Sequence, residues 1–131
     1  VTIKESGMDE KTFKARTKKL TVAIIKQVEK MPRSLAADVI GKQVIRSGTS
    51  IGANYRAACR AKSTPDMINK MKIVEEESDE TQYWLELLVE AGLAPKDQIA
   101  SLYKETDEIL AMTVASIKTL RNRKPIVNPK S

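Results

Sequence analysis

The chain has 131 residues, of which 41% are hydrophobic and 31% charged, and a net charge of +6. That length supports one domain with one core, and the composition is that of a globular protein. There is no histidine and a single cysteine, Cys59, which excludes an internal disulfide, a histidine-based metal centre and the commonest general base.

The elements follow from the spacing of apolar residues. Phe13, Thr17, Leu20, Ile24, Val28 and Met31 recur every three or four positions, which predicts a first helix from about Thr12 to Met31. Pro32 stops it, and Ser34 can cap the next one. A second helix is predicted from about Leu35 to Lys62, with Ile40, Val44, Ser47, Ile51, Tyr55 and Ala58 on one face. Thr64-Pro65-Asp66 supplies a capping hydroxyl, a proline at the first helical position and an acid near the positive end of the helix dipole. The third helix then carries Met67, Met71, Val74, Ser78, Thr81, Leu85 and Leu88, whose alternating spacings of four and three make a coiled-coil-like seam. Gly92 ends it. Pro95 opens a fourth, with Ile99, Leu102, Thr106, Ile109, Thr113, Ile117 and Leu120 on its apolar face. The longest strictly apolar run is Val22-Ala23-Ile24-Ile25, so no segment reads as a membrane span or a secretory signal. The lone cysteine fits the reducing cytoplasm. Long helices with short joints predict an all-α fold, an antiparallel up-down-up-down four-helix bundle. The domain is expected over residues 1–124, with residues 125–131 as a flexible basic tail.

One stretch of the second helix, RSGTSIGANYRAACRAKS over residues 46–63, needs its own account. It looks like a phosphate-binding loop, but no strand precedes it and no Gly-Lys-Ser/Thr ends it, so it is not a P-loop. As a helix, it places Gln43, Ser50, Asn54, Ala57 and Ala61 on one arc, and Gly48 and Gly52 on another. Two helical glycines cost about 1 kcal/mol each relative to alanine, so close packing must offset them. The close neighbour is either a helix of the same chain or another subunit. A third arc holds Lys42, Arg46, Arg56 and Arg60, with Thr49 and Ala53 between them. The third helix answers with Glu75, Glu76, Glu77, Asp79 and Glu80. Arginines of helix two are expected to pair with these acids, within a chain or across an interface. Without histidine the acidic run cannot form the Glu-x-x-His di-metal centre of some bundles, and no metal or other cofactor is expected. Cys59 has no histidine partner to make it a nucleophile, so the chain is not expected to be an enzyme.

Two long motifs, RSGTSIGANYRAACRAKS and the later VEEESDETQYWLELLVEAGL, together with the Pro32-Arg33-Ser34 joint, resemble the bacterial four-helix-bundle family also called the 23S rRNA intervening-sequence proteins. The resemblance spans about residues 12–122. It implies small basic bundles that assemble as homopentameric rings. It also implies a distant similarity to accessory proteins of diversity-generating retroelements, where a ring binds a reverse transcriptase and nucleic acid. It carries over no catalytic residue. Arg46, Gly48, Gly52, Asn54, Glu76 and Glu80 are the expected oligomer-interface positions.

The charges suggest where a partner would bind. In an up-down-up-down bundle the start of helix one, the end of helix two, the start of helix three and the end of helix four share one end. Lys11, Lys14, Lys18, Arg56, Arg60, Lys62, Lys118, Arg121, Arg123 and Lys124 collect there and are the candidate nucleic-acid-binding residues. Cations at the starts of helices one and three oppose the helix dipole, so a polyanionic partner explains them better than helix energetics do. The chain has few aromatics for stacking on bases, so binding to RNA, or to DNA, is expected to be largely sequence-independent. The competing reading is a scaffold that docks an acidic protein such as a polymerase.

Overall fold

The computed structural model describes residues 9–123. Lys124 and the tail expected over residues 125–131 lie outside them. Four helices make up the fold: α1 (Glu10–Glu29), α2 (Leu35–Cys59), α3 (Thr64–Glu90) and α4 (Lys96–Asn122). No strand occurs among the described residues. Each helix packs on its neighbours in chain order, and α4 closes back on α1. This is the antiparallel up-down-up-down bundle that the spacing predicts.

Local chemistry sets the ends of the helices. Asp9 caps α1 by accepting from the Lys11 amide, and Ser34 caps α2 through the Ala37 amide at 3.0 Å. The cap of α3 is Ser63 rather than Thr64. Ser63 has extended backbone angles and its Oγ accepts from the Asp66 amide at 3.2 Å, while Thr64 and Pro65 already lie in the first turn. Gly92 ends α3 in the left-handed region at φ 72°. The Leu93 amide reaches back to the Leu88 carbonyl at 2.8 Å and the Gly92 amide to that of Val89 at 3.0 Å, the paired bonds of a Schellman turn.

The core lies where the four apolar faces meet. Phe13, Leu20, Ile24, Val44, Ile51, Tyr55, Met67, Met71, Val74, Leu85, Leu88 and Ile109 are at most 2% exposed. Val28 and Ile40, expected on these faces, are only half-buried. Ala37, Gly41, Gly48, Gln82 and Ser116 are buried although they were not read as core. The core is not wholly apolar. Thr81 Oγ1 donates to Ser47 Oγ at 2.9 Å between α3 and α2, and Ser47 in turn donates to its own helix at the Gln43 carbonyl. Gln27 bonds Gln98 at 2.9 Å between α1 and α4, and Gln82 bonds Asp107 at 3.0 Å between α3 and α4. Such pairs favour one register of neighbouring helices, because a slip by one turn would leave the buried Gln27 and Gln82 amides without these partners.

Candidate nucleic-acid interface

The ring of Phe13, in the first turn of α1, lies 4.4 Å from that of Tyr55 near the end of α2. Glu86, near the end of α3, accepts from the Tyr103 hydroxyl near the start of α4. These contacts bring the starts of α1 and α3 and the ends of α2 and α4 to one end of the bundle. Lys11, Lys18, Arg56, Arg60, Lys62, Lys118 and Arg121 are exposed there, and none of them forms an ion pair among the described residues. Lys14 is half-buried and pairs with Glu10 one turn away at 2.9 Å. Arg123 is half-buried at the end of α4.

Arg16, on the same part of α1 as Lys14 and Lys18, is neutralised. Its Nε and Nη2 grip Glu105 of α4 as a fork, at 3.0 and 2.6 Å, and Nη2 also reaches Glu108 at 3.4 Å. The hydrogen bond from Arg16 holds the Glu105 carboxyl below its usual range.

Part of the basic end is concave. A groove of about 500 Å³ runs between α1 and α2, lined by Lys14, Ala15, Thr17, Lys18 and Thr21 from the first helix and Thr49, Gly52, Ala53 and Arg56 from the second. Three of the expected nucleic-acid contacts, Lys14, Lys18 and Arg56, thus share one hollow. The threonines in its wall were missed by sequence reasoning. The available signal was the arc on which Thr49 and Ala53 sit between Arg46 and Arg56. A second hollow of about 380 Å³ lies between α3 and α4 towards the other end, walled by Leu85, Val89, Ile99 and Tyr103, and is mainly apolar.

The expected interface residues make contacts within their own chain. A Cβ on Gly48 would come within 2.8 Å of Ile24 Cδ1, so this buried glycine makes room for the Ile24 side chain of α1. Gly52 is half-buried over Thr17 of the same helix pair. Both glycines thus face α1 of their own chain. Arg46 pairs with Glu77 at 3.4 Å and with Glu80, which also accepts from the Trp84 indole at 2.9 Å. Asn54 turns back on Ser50, donating to its carbonyl at 2.9 Å and its hydroxyl at 2.8 Å. Glu76 is exposed and forms no ion pair among the described residues. Only Arg46, of the helix-two arginines, pairs with the acidic run. No group of three or more acids and thiols placed to hold a metal ion is found among the described residues.

The Cys59 thiol and the Tyr55 hydroxyl are both held in their neutral forms. Burial foremost, and then the Glu10 carboxylate, push the Cys59 thiol above its ordinary value, which is the wrong direction for a nucleophile. Burial likewise raises the Tyr55 hydroxyl, which finds no hydrogen-bond partner of good geometry. No described helix is long and apolar enough to cross a membrane.

The chain is similar to known proteins at the level of both sequence and fold. Residues 10–115 match the model of the 23S rRNA-intervening sequence proteins. The crystal structure of a protein of unknown function from the S23 ribosomal protein family of Bacteroides thetaiotaomicron is 36% identical, with a TM-score of 0.79, and the match covers 85% of this chain and 99% of that one. No curated protein matches the sequence. The family match takes in most of all four helices, including the small-residue stretch of α2 and the acidic run of α3, and the solved relative has the same architecture at an identity well above chance. The chain belongs to the 23S rRNA-intervening sequence protein family.

Proposed function

We propose that this protein is a non-catalytic, oligomeric nucleic-acid-binding bundle of the cytoplasm, with RNA as its principal ligand and contacts that are largely independent of sequence. One observation carries the reading: seven exposed cations at one end, Lys11, Lys18, Arg56, Arg60, Lys62, Lys118 and Arg121, have no carboxylate partner. Arg16 at this end and Arg33 and Arg46 elsewhere are paired, and what sets the seven apart from other exposed, unpaired lysines such as Lys26, Lys42 and Lys104 is that they share one end. Unpaired like charges repel, and a phosphate backbone relieves that repulsion while releasing its own counterions. Assembly into a homopentamer would repeat this end around a ring and multiply the contacts. Support for assembly comes from Leu35, 85% exposed, and from Val39 one turn later, 53% exposed, an apolar pair that a second copy would cover.

The test is charge reversal. Lys18→Glu, Arg56→Glu, Lys118→Glu and Arg121→Glu together should abolish binding of a mixed-sequence RNA at low salt and leave helicity unchanged. Reversal of Lys26, Lys30, Arg33 and Lys96 at the other end should leave most of the affinity. Log affinity of the parent should fall linearly with log salt, at a slope near −0.7 per phosphate contacted for a single strand. Equal binding by both variants, or none by the parent, would replace this reading with that of a protein-docking scaffold.

A further inference from the structure

The groove between α1 and α2 combines two kinds of group. Lys14, Lys18 and Arg56 supply positive charge, and the half-buried Thr21 and Thr49 form part of the wall. Both threonine hydroxyls have already committed their protons. Thr21 Oγ1 donates to backbone carbonyls, that of Gly48 at 3.1 Å and that of Thr17 at 3.0 Å, and Thr49 Oγ1 donates to the Arg46 carbonyl at 3.1 Å. A hydroxyl whose proton is engaged keeps only lone pairs, so it can accept a hydrogen bond and cannot donate one. Such an oxygen repels a phosphate but welcomes a hydroxyl donor. The backbone of RNA carries both groups in alternation: a phosphate for the cations and a 2′-hydroxyl for an acceptor, which DNA lacks.

Gly52 on the groove floor fits the same picture. A Cβ there would meet Thr17 at 3.5 Å, an ordinary contact, so α1–α2 packing admits alanine. Alanine is also the better helix former. The glycine's remaining effect is to keep the floor low beneath Lys18 and Arg56.

We infer that this groove seats a single strand of RNA, with phosphates on Lys18, Arg56 and Lys14 and ribose 2′-hydroxyls donating to Thr21 and Thr49. The inference rests on the nucleic-acid reading above and specifies its ligand. A hollow between two packed helices, whose axes lie about 8–10 Å apart, admits one sugar–phosphate strand and not a duplex. No aromatic residue lines it, so the bases stay outside and unread.

Fluorescence anisotropy with the full chain and three labelled 12-mers of one mixed sequence, RNA, DNA and 2′-O-methyl RNA, tests this. RNA should bind about fivefold more tightly than DNA, the worth of a hydrogen bond or two, and the 2′-O-methyl strand should fall to the DNA level. Thr49→Val with Thr21→Val keeps the shape of the wall and removes the acceptors. It should erase the preference for RNA while DNA affinity stays the same. Thr49→Val alone, whose hydroxyl bonds only its own helix, should reduce the preference, and it keeps the test usable if Thr21→Val disturbs the α1–α2 contact. Equal affinity for RNA and DNA, a preference that survives loss of the hydroxyls, or tighter binding of a duplex of the same sequence would overturn the groove assignment and leave the basic end as a general polyanion site. Absence of binding to all the strands would remove both.

Discussion

A Cβ added at Gly48 would sit 2.8 Å from Ile24 Cδ1, whereas one at Gly52 would come no closer than 3.5 Å to Thr17. Ile24 is fully buried, so the end of its side chain can give way only by shifting within the packed core. Overpacking of this kind costs about 1–3 kcal/mol, against a gain of about 1 kcal/mol from replacing a helical glycine. Gly48→Ala is therefore expected to lower stability by roughly 1 kcal/mol, and Gly52→Ala to raise it by up to about 1 kcal/mol. Urea unfolding of the two variants measures both, and a shift of the same sign in each would contradict the geometry. The sequence shows two glycines at helical spacing. It does not show that one fills a steric need and the other borders an open groove, because that depends on the rotation of α2 against α1.

At the scale of elements, the helix limits were legible to within two or three residues. Half of them rest on a local device: the proline after α1, a serine before α2 and α3, and a glycine after α3. The choice of Ser63 over Thr64 as the cap was not legible, since adjacent hydroxyls are chemically alike and only the extended backbone at Ser63 separates them. How the helices pair was less legible still. The contact between α1 and α4 is the thinnest of the four around the bundle, and the Arg16–Glu105 fork spans it. Because Arg16 holds the Glu105 carboxyl below its ordinary value of 4.5, this contribution to stability is complete above that pH. It is lost as pH falls from 4.5 through the lowered folded-state value. Glu105→Gln should thus cost about 1 kcal/mol near neutrality, given the partial exposure of both side chains. Its cost should shrink towards zero in acid. Thermal unfolding of parent and variant across pH 3 to 7 should show the two converging on the acid side, and a gap that stays constant with pH would remove the fork as its source.

At the scale of the whole molecule, seven unpaired cations of the described residues gather at one end, and the exposed apolar pair Leu35 and Val39 lies at the end of α2 opposite Arg56. Binding and assembly are therefore expected to be separable. Leu35→Glu with Val39→Glu should weaken self-association without lowering helicity, since both side chains already face solvent. Native mass spectrometry at micromolar concentration should find the parent at a multiple of 14.6 kDa and the variant shifted towards a single copy. A parent that flies as a monomer would dispose of the assembly reading and leave the basic end unaffected.

By itself the sequence determined the number, limits and inward faces of the helices, because the 3.6-residue period and the capping residues are local properties written in every turn. It also determined the basic end, since short loops in a helical chain force an antiparallel order and so bring helix starts and ends together. Tertiary structure alone decided which charges remain available. Arg46 and Arg56 occupy one arc of α2, but Ser47 stands opposite Thr81, which sets Arg46 beside Glu77 and Glu80. Nine residues beyond Ser47 on α2, Arg56 lies at the level of α3 where Lys70 and Lys72 stand and the acids have run out. It decided the fate of Arg16 as well, which faces α4 rather than solvent. An ion pair between helices needs a shared height and a shared rotation. Both are set by how side chains of separate helices interlock, which no window of sequence contains.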